Sequence, residues 1–399
     1  MALMPEGGTN MAGWMGDGEV IQRILDHADA KTTDLGEATW REPVENYRSV
    51  ERFQQEMELF RRLPLVFCPS AALPANGSYV ARTLAGAPVL AVRGDDGVVR
   101  AFHNACRHRG MILAEGSGDA RSLTCRYHAW SYGLDGRLRY VPGSEGVSGQ
   151  DGFPGLDRDA HGLTPVRAEE RGGLVFVTLK QPVSAGALDA LPDLIAPDLI
   201  APGQAVFEYS SFTDEANWKL LLETSMEGYH IKTLHNKSFY PYGYDNLNVV
   251  ETDGANSRLV FPFRRVETLR GKPKEAWRAE GMLTYVYQLF PNTRLATLSN
   301  HQLLVILEPV TVSQSRWVIY RLRTPAAGET ADDIEKSKRD AAFVKDNGVV
   351  EDREAACSIQ QGLTGEGNSH FTFGRFEKAA VHFHRTLRDH LAMLDPPML

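Results

Sequence analysis

Two short segments of the chain carry residue types that bind iron–sulfur clusters. They read Cys106-x-His108 and Cys125-x-x-His128, with sixteen residues between them. Two thiolates and two neutral imidazoles suit a [2Fe–2S] cluster in which one iron is bound by sulfur and the other by nitrogen. Because neutral histidine replaces thiolate, such a cluster is less negative and has a higher reduction potential than an all-cysteine cluster. The pattern predicts a protein that accepts and passes on single electrons.

Zinc is the alternative for the same four residues, since a tetrahedral site also accepts two cysteines and two histidines. Zinc fingers, however, usually pair cysteine with cysteine and histidine with histidine along the sequence. Here each short segment offers one residue of each kind. This interleaving is what two opposed loops need to hold a two-iron cluster between them, so the iron–sulfur interpretation is favoured.

The residues around these ligands resemble those of a known family. Residues 101–110 (AFHNACRHRG) and 125–130 (CRYHAW) strongly resemble the cluster loops of Rieske oxygenases, the ring-hydroxylating oxygenase α-subunit family. Respiratory-type Rieske proteins carry one more cysteine in each loop, and neither loop here has it. The resemblance implies a Rieske [2Fe–2S] cluster bound by Cys106, His108, Cys125 and His128.

A second set of candidate ligands lies downstream, where His230 and His235 are five residues apart. Two histidines and a carboxylate make the facial triad of non-haem Fe(II) oxygenases, which leaves positions open for O2 and substrate. Residues five apart do not share a face of a straight α-helix, so a helix must distort or end between them. Residues 349–363 resemble the family segment that supplies the carboxylate, which implies Asp352 as the third ligand and Glu351 as the second choice.

The resemblance also implies a role for Glu227. In the family, an acid at this position, most often aspartate, hydrogen-bonds a cluster histidine of one subunit and an iron-ligating histidine of the next. Glutamate at this site is similar to the branch that includes choline, betaine and carnitine oxygenases. We therefore expect Glu227 to bridge His128 of one subunit to His230 or His235 of its neighbour and to carry electrons between them, within a head-to-tail homotrimer.

The composition is that of a globular protein with more than one domain. The chain has 399 residues, of which 43% are hydrophobic and 24% charged, and two domains are expected at this length. A net charge of −8 argues against a nucleic-acid partner. Four cysteines are not a disulfide framework, and an exposed cluster favours a reducing compartment. Since no leader-like N-terminus and no apolar run of about 18 residues is found, we expect a cytoplasmic protein that does not enter membranes.

Patterns and resemblance together predict an α+β protein. Residues 1–44 are expected to form an N-terminal helical segment that packs on the catalytic domain, and residues 45–170 a small antiparallel β Rieske domain. Residues 171–399 are expected to form the catalytic mononuclear iron domain. The resemblance implies a helix-grip fold for this domain, an antiparallel sheet with a long C-terminal helix, whereas the pattern alone indicates only α+β.

Turn signals and periodicity place individual elements. Strands are predicted over residues 77–84, 88–92, 98–102 and 174–179, and three more within 283–323. Helices are predicted over residues 21–30, 50–60, 215–234, 334–363 and 375–394. Residues 1–18 are expected to be a poorly ordered end, and the Pro/Ala-rich residues 185–202 a linker or a loosely packed segment.

The resemblance implies the terminal oxygenase of a multicomponent enzyme. In the family, a flavin/iron–sulfur reductase or a ferredoxin passes electrons from NAD(P)H to the cluster, and the cluster passes them to a mononuclear Fe(II) that activates O2. We expect mono- or dihydroxylation of a small organic substrate, in the first place an aromatic one. The alternative is a monooxygenase that hydroxylates, or N- or O-demethylates, a quaternary ammonium or methylated compound. Two other classes are a Rieske electron-transfer protein, which would lack the mononuclear iron ligands, and a metal-stabilised binding protein without turnover.

Aromatic segments are the candidate walls of a substrate pocket. They are residues 239–242, 261–263 and 285–290. Aromatic walls suit an arene by stacking and a quaternary ammonium by cation–π attraction, although aromatic residues in strands are more often core. A buried acid in the pocket would favour a cationic substrate, and a basic group a carboxylate.

Overall fold

The computed structural model describes residues 14–144, 151–181, 199–200, 202–325, 330–343, 349–365 and 367–394. The helices are α1 (Asp17–Ala30), α2 (Glu45–Arg48), α3 (Val50–Arg62), α4 (Trp218–Glu223), α5 (Ala331–Phe343), α6 (Val350–Gly362) and α7 (Lys378–Ala392). The strands are β1 (Trp40–Pro43), β2 (Leu65–Pro69), β3 (Ser78–Leu84), β4 (Ala87–Arg93), β5 (Val99–His103), β6 (Gly116–Asp119), β7 (Leu123–Thr124), β8 (Ser131–Tyr132), β9 (Leu138–Tyr140), β10 (Pro165–Arg171), β11 (Leu174–Thr178), β12 (Ala205–Asp214), β13 (Val249–Asp253), β14 (Asn256–Pro262), β15 (Leu283–Leu289), β16 (Thr293–Thr297), β17 (Gln302–Thr311), β18 (Gln314–Arg323) and β19 (His370–Phe373). Most of the predicted linker and most of the predicted N-terminal end lie outside the described residues.

The chain divides into two compact units. One comprises Met1–Leu59, Asp189–Ala196 and Gln204–Leu399, and the other Phe60–Leu188 and Pro197–Gly203. The predicted boundaries at residues 45 and 170 differ from this division. A boundary at 170 would cut β10, which pairs with both β5 and β11, while β11 in turn pairs with β2. Strand pairing therefore moves the end of the first predicted domain beyond β11.

The unit from residue 60 is built of antiparallel strands. Its larger sheet has the order β2-β11-β10-β5-β4-β3-β6, and a smaller sheet has the order β7-β8-β9. Leu90, Phe102, Trp130 and Tyr132 form part of its buried core. The first cluster loop follows β5, and the second joins β7 to β8. Both loops are thus anchored by paired strands that leave the core at their ends.

The other unit is centred on a seven-stranded antiparallel sheet with the order β12-β18-β17-β16-β15-β14-β13. The strand β17 contains an unbroken buried run, Leu303–Leu307, as expected for a central strand covered on both faces. Helix α7 packs against β13 and β14 through a face of Ala379, Ala380, Phe383 and Leu387. The predicted α+β class, with an antiparallel sheet and a C-terminal helix, is confirmed.

The N-terminal helix α1 belongs to the same unit as the sheet formed by β12 to β18. It contacts β13, and the backbone N–H of Met15 donates to Glu251 at 2.7 Å. Asp34, shortly after the helix, accepts from the N–H of Val250 at 2.8 Å. In the part of the chain described here, no helix is long and apolar enough to span a bilayer.

Three predicted elements differ from those observed. The helix predicted over 215–234 ends at Glu223, and turns follow it. The helix predicted over 334–363 is two helices, α5 and α6, on either side of undescribed residues. The three strands predicted within 283–323 are four, because Pro291, which has no N–H to donate, separates β15 from β16.

Candidate metal centres

Each cysteine of the two loops begins a tight turn of the same form. The N–H of Gly110 donates to the carbonyl of Cys106 at 2.8 Å, and the N–H of Ala129 donates to that of Cys125 at 2.9 Å. Both Gly110 and Ala129 have left-handed backbones, with φ of 75° and 56°. Two loops of one backbone shape present their side chains alike, as a cluster held between them requires.

The ligand side chains of the two loops lie close together. The rings of His108 and His128 are 4.7 Å apart between centroids, and His108 stacks on the buried Trp130 at 4.9 Å. Cys106 and Cys125 are buried, whereas His128 is exposed and His108 half-buried. The imidazole pair therefore lies on the solvent-facing side of the loops.

The four loop donors do not converge on one point. Among the described residues, the set of three or more metal-binding side chains whose donor atoms all lie within 4.8 Å of one another is His230, His235 and Asp352. At the loops, the two sulfurs are buried and the two imidazoles lie side by side, 4.7 Å apart between centroids. This separation of sulfur from nitrogen fits a cluster with thiolates on one iron and imidazoles on the other.

Tyr132 is a residue near the cluster loops that sequence reasoning missed. Its hydroxyl lies 3.3 Å from the sulfur of Cys106 and accepts from the N–H of Arg107 at 3.0 Å. Burial and the hydrogen bond to Cys106 raise the pKa of Tyr132, so the phenol keeps its proton and can donate it to a thiolate. Hydrogen bonds to cluster sulfurs tune the reduction potential.

The second site is built on an anchored helix start. Asn217 caps α4 by accepting from the N–H of Lys219 at 3.0 Å, and its amide nitrogen donates to two backbone carbonyls. The Nζ of the buried Lys219 lies 2.8 Å from both carboxylate oxygens of Glu56. The indole of Trp218 donates to the same carboxylate at 2.9 Å. These contacts fix the helix from which the site residues continue.

After α4 the backbone turns sharply and brings His230 and His235 together. At Gly228 a side chain would clash with the amide of Asn248, so glycine is required for this close approach. The backbone N–H of Leu234 donates to the carbonyl of His230 at 2.8 Å, which closes a helix-like turn between the two histidines. Their Nε2 atoms are 3.2 Å apart. As their spacing predicts, the two residues do not share one straight helix.

Asp352, in the first turn of α6, completes the group. Its Oδ1 lies 3.0 Å from the Nε2 of His235 and 3.5 Å from that of His230. Two hydrogen bonds of 2.6 Å from Arg353 to Asp214 hold the helix in place. Ligand atoms about 2.1 Å from one metal and at right angles lie about 3.0 Å apart. The observed separations fit one face of an octahedral ion, with the opposite face open.

Two glutamates hold the outer nitrogens of these histidines. The Nδ1 of His235 lies 2.6 Å from Glu351, and the Nδ1 of His230 is hydrogen-bonded to Glu227. Because ionised carboxylates only accept, both Nδ1 atoms carry a proton, so in the neutral form of each ring the Nε2 atom is the one with a lone pair, and it faces Asp352. The buried Oδ1 of Asp352 has no hydrogen-bond partner among the described residues. With both rings neutral, three lone pairs face one point, and a cation between them would stabilise this arrangement, so the donor set fits Fe(II).

Glu351, the second choice for the third ligand, therefore has a different position from Asp352. One oxygen of Glu351 accepts from Ser238 Oγ at 2.7 Å and contacts the Nδ1 of His235. This contact is on the side of the ring opposite the Nε2 atom that faces Asp352. Glu227 is placed in the same way on His230, and it also accepts from that residue's backbone N–H at 3.2 Å. Each imidazole is thus oriented by its own glutamate.

The surroundings of His230 carry surplus negative charge. Burial disfavours the imidazolium, but the hydrogen bond and charge of Glu227 outweigh it and raise the pKa of His230. Burial, followed by repulsion from Glu227 and Glu223, raises the pKa of Glu377 to about 7. A bound cation would relieve this repulsion, which agrees with the donor geometry.

A cavity of about 610 Å³ opens beside the three donor atoms and is lined by His230, His235 and Asp352. Binding sites for small molecules typically span about 300–1,000 Å³. Phe239 and Tyr242 from the turns after the histidines form part of its wall, together with strands β14 to β17. The arrangement joins a candidate metal site to a space of substrate size.

The predicted aromatic segments contribute unequally to this cavity. Residues 261–263 and most of 239–242 line it, whereas residues 285–290 contribute only Val286. Strand alternation directs Tyr285 and Tyr287 to the other face of β15, where both rings lie against Arg258. These two tyrosines are packing residues and not part of the pocket.

Known protein families match both parts of the chain. Residues 64–150 match the Rieske [2Fe–2S] domain, and residues 205–393 match the catalytic domain of ring-hydroxylating α subunits. These ranges contain the two loops and the three donor residues, respectively.

Individual proteins are similar over part or most of the chain. The glycine betaine monooxygenase oxygenase subunit of Chromohalobacter salexigens is 37% identical over 48% of this chain, a match that spans 42% of that protein's length. The carnitine monooxygenase oxygenase subunit of Escherichia coli K12 is 28% identical over 83% of this chain and 92% of its own. A solved quaternary ammonium Rieske monooxygenase shares the fold, with a TM-score of 0.74 and 21% identity over 95% of this chain and 100% of the other.

Proposed function

We propose that the chain, a member of the Rieske-type ring-hydroxylating oxygenase α-subunit family, is a terminal oxygenase acting on a small organic molecule. The observation that carries the proposal is the convergence of three metal-binding donor atoms on the wall of a cavity of substrate size. The proposed cluster ligands are Cys106, His108, Cys125 and His128, and the proposed iron ligands are His230, His235 and Asp352.

When bound, the cluster supplies electrons and the mononuclear iron supplies the site of O2 activation. The protein's own side chains hold the metal ligands in position. Glu227 and Glu351 hold the imidazoles so that both Nε2 atoms face Asp352. The apolar wall around Phe239 excludes water from the side that the ligands leave open.

For the substrate, we place methylated quaternary ammonium compounds first and aromatic compounds second. The first choice is supported by the two relatives named for glycine betaine and carnitine, and by Glu227 in place of aspartate. The second choice is supported by the ring-hydroxylating family of the catalytic domain. Aromatic side chains of the cavity, such as Phe239 and Phe343, suit either class.

For the partners, we propose a flavin/iron–sulfur reductase or ferredoxin as electron donor and a head-to-tail homotrimer. Glu227 binds His230 within one chain, and its expected second contact is His128 of the neighbouring subunit. A trimer predicts a solution mass three times that of the 44.2 kDa chain. Light scattering coupled to size exclusion measures this mass, and a monomer at micromolar concentration would count against the arrangement.

The proposed activity predicts oxygen incorporation that depends on NADH. With a family reductase, NADH and 18O2, the protein should consume O2 and form a product that carries the label, whether the oxidised carbon stays on the product or leaves as an aldehyde. Gas-phase O2 measurement with mass spectrometry of the products tests this. Reduction of the cluster without O2 uptake on any methylated ammonium or aromatic compound would instead indicate an electron-transfer protein.

A further inference from the structure

Arg294 is a buried cation that faces the cavity. It lies on β16, is 9% exposed and lines the cavity beside the candidate iron site. Its neighbours two and four residues along, Ala296 and Leu298, line the same cavity, as strand alternation requires. Within the described ranges, the guanidinium of Arg294 has no hydrogen-bond or ion-pair partner, and its charge interaction is with Asp352 through space.

The other deeply buried cations of this unit are partnered. Lys219 lies 2.8 Å from Glu56, Arg258 is paired with Glu251 at 2.5 Å, and Arg321 contacts Glu208 at 3.1 Å. A buried charge without a partner is strongly disfavoured, so proteins pair such groups or use them to bind a ligand. Arg294 is the exception in this comparison, and its guanidinium has five N–H donors to offer.

The acidic side chains of the cavity wall are already engaged. Glu227 holds His230, Asp352 faces both histidines, and Asp340 is 2.8 Å from the Nδ1 of His301. A metal ion bound by His230, His235 and Asp352 would also neutralise the charge of Asp352, the carboxylate with which Arg294 interacts through space. The positive charge of Arg294 is therefore available to an anionic group that enters the cavity.

We propose that Arg294 binds a carboxylate of the substrate, an inference that rests on the proposed function and narrows its substrate class. The planar guanidinium binds a carboxylate through two parallel hydrogen bonds, which fixes orientation as well as position. The rings of Phe239 and Phe343, 5.7 Å apart, offer an apolar surface to the rest of the molecule. The substrate is then a carboxylate with either a methylated ammonium or an arene, and neither a neutral arene nor a cation without a carboxylate.

Matched ligand pairs test this assignment without turnover. Calorimetry on the full-length protein loaded with cluster and Fe(II) compares glycine betaine with choline, and benzoate with benzamide. At least one carboxylate should bind about tenfold or more tightly than its partner. In Arg294→Gln this preference should fall to about twofold or less, whereas Arg294→Lys should keep part of it. The matched control is Arg316→Gln, an exposed arginine of β18 that does not line the cavity, and it should keep the wild-type preference.

Thermal unfolding separates a binding role from a structural one. Since Arg294 has no partner to lose, ligand-free Arg294→Gln should melt at or above the wild-type temperature. Arg258→Gln leaves the carboxylate of Glu251 without its ion-pair partner and should melt at a lower temperature. A fall as large as that of Arg258→Gln, a misfolded Arg294→Gln, an unchanged preference in that variant, or no preference in the wild type would each overturn the assignment. Carboxylate preference without NADH-dependent O2 uptake would refute the proposed function alone. Turnover of a neutral arene without that preference would refute the role of Arg294 alone.

Discussion

Replacing Asp352 with alanine is expected to remove the mononuclear iron and abolish product formation while the cluster remains. The three donor atoms are 3.0–3.5 Å apart, so the loss of one leaves only two neutral imidazoles, which bind Fe(II) too weakly to retain it. The cluster loops belong to the other unit of the chain and should be unaffected. Iron analysis, the EPR spectrum of the reduced cluster and product formation measure the three quantities. His230→Ala and His235→Ala should behave alike.

The neighbouring Glu351 provides the matched control. It contacts the Nδ1 of His235 and not the lone-pair side, so Glu351→Gln should retain iron, with affinity or activity reduced by about 10–100-fold. Full activity of Asp352→Ala together with loss of iron in Glu351→Gln would exchange the two roles. Such a result would mean that α6 presents its first turn differently in the metal-bound protein.

Replacing Glu227 with glutamine is expected to keep both metals and the oligomer but to lose most steady-state turnover, about tenfold or more. Glutamine has the same shape and can still accept from the Nδ1 of His230, so the ring stays oriented. The substitution removes the negative charge that raises the pKa of His230. The same charge is expected to accept a hydrogen bond from His128 of the neighbouring subunit. Reduction of the cluster by dithionite should be normal, while the product of a single turnover falls.

A conservative variant and a control variant accompany Glu227→Gln. Glu227→Asp should be partly active only if the shorter acid still reaches across the subunit interface. Glu354→Gln, which changes an exposed carboxylate of α6, should leave turnover unchanged. Wild-type turnover in Glu227→Gln would remove the bridging role and leave Glu227 only as the acid that orients His230 within its own chain. Loss of iron in that variant would instead show that its charge is needed for binding.

The parts of the site that the sequence predicts are those formed by residues close together in the chain. Cys106 and His108, or His230 and His235, lie within one loop or turn, so their spacing already expresses the chemistry. The domain boundary was less predictable because pairing between β10 and β5 joins segments more than sixty residues apart.

Residues that act through tertiary contacts had no local signal. Glu351 reaches His235 from 116 residues away, and its neighbour Asp352 has the same charge, so only the fold separates their roles. In the sequence, Arg294 is only one polar residue within a predicted strand. Which face of β16 lines the cavity depends on the register of the whole sheet, so the sequence alone does not place Arg294 in the cavity. Tyr132 follows the second cluster loop, but its contact is with Cys106 of the first.

Metal analysis of the purified protein tests whether one chain holds both a two-iron cluster and a separate iron. We expect about three irons and two sulfides per chain, with a Rieske-type EPR signal after reduction. In Cys106→Ala or His128→Ala this signal should vanish, while about one iron remains at His230, His235 and Asp352. Zinc in the loops, an all-cysteine cluster spectrum, or loss of all iron from these variants would show that the chain does not hold these two separate iron centres.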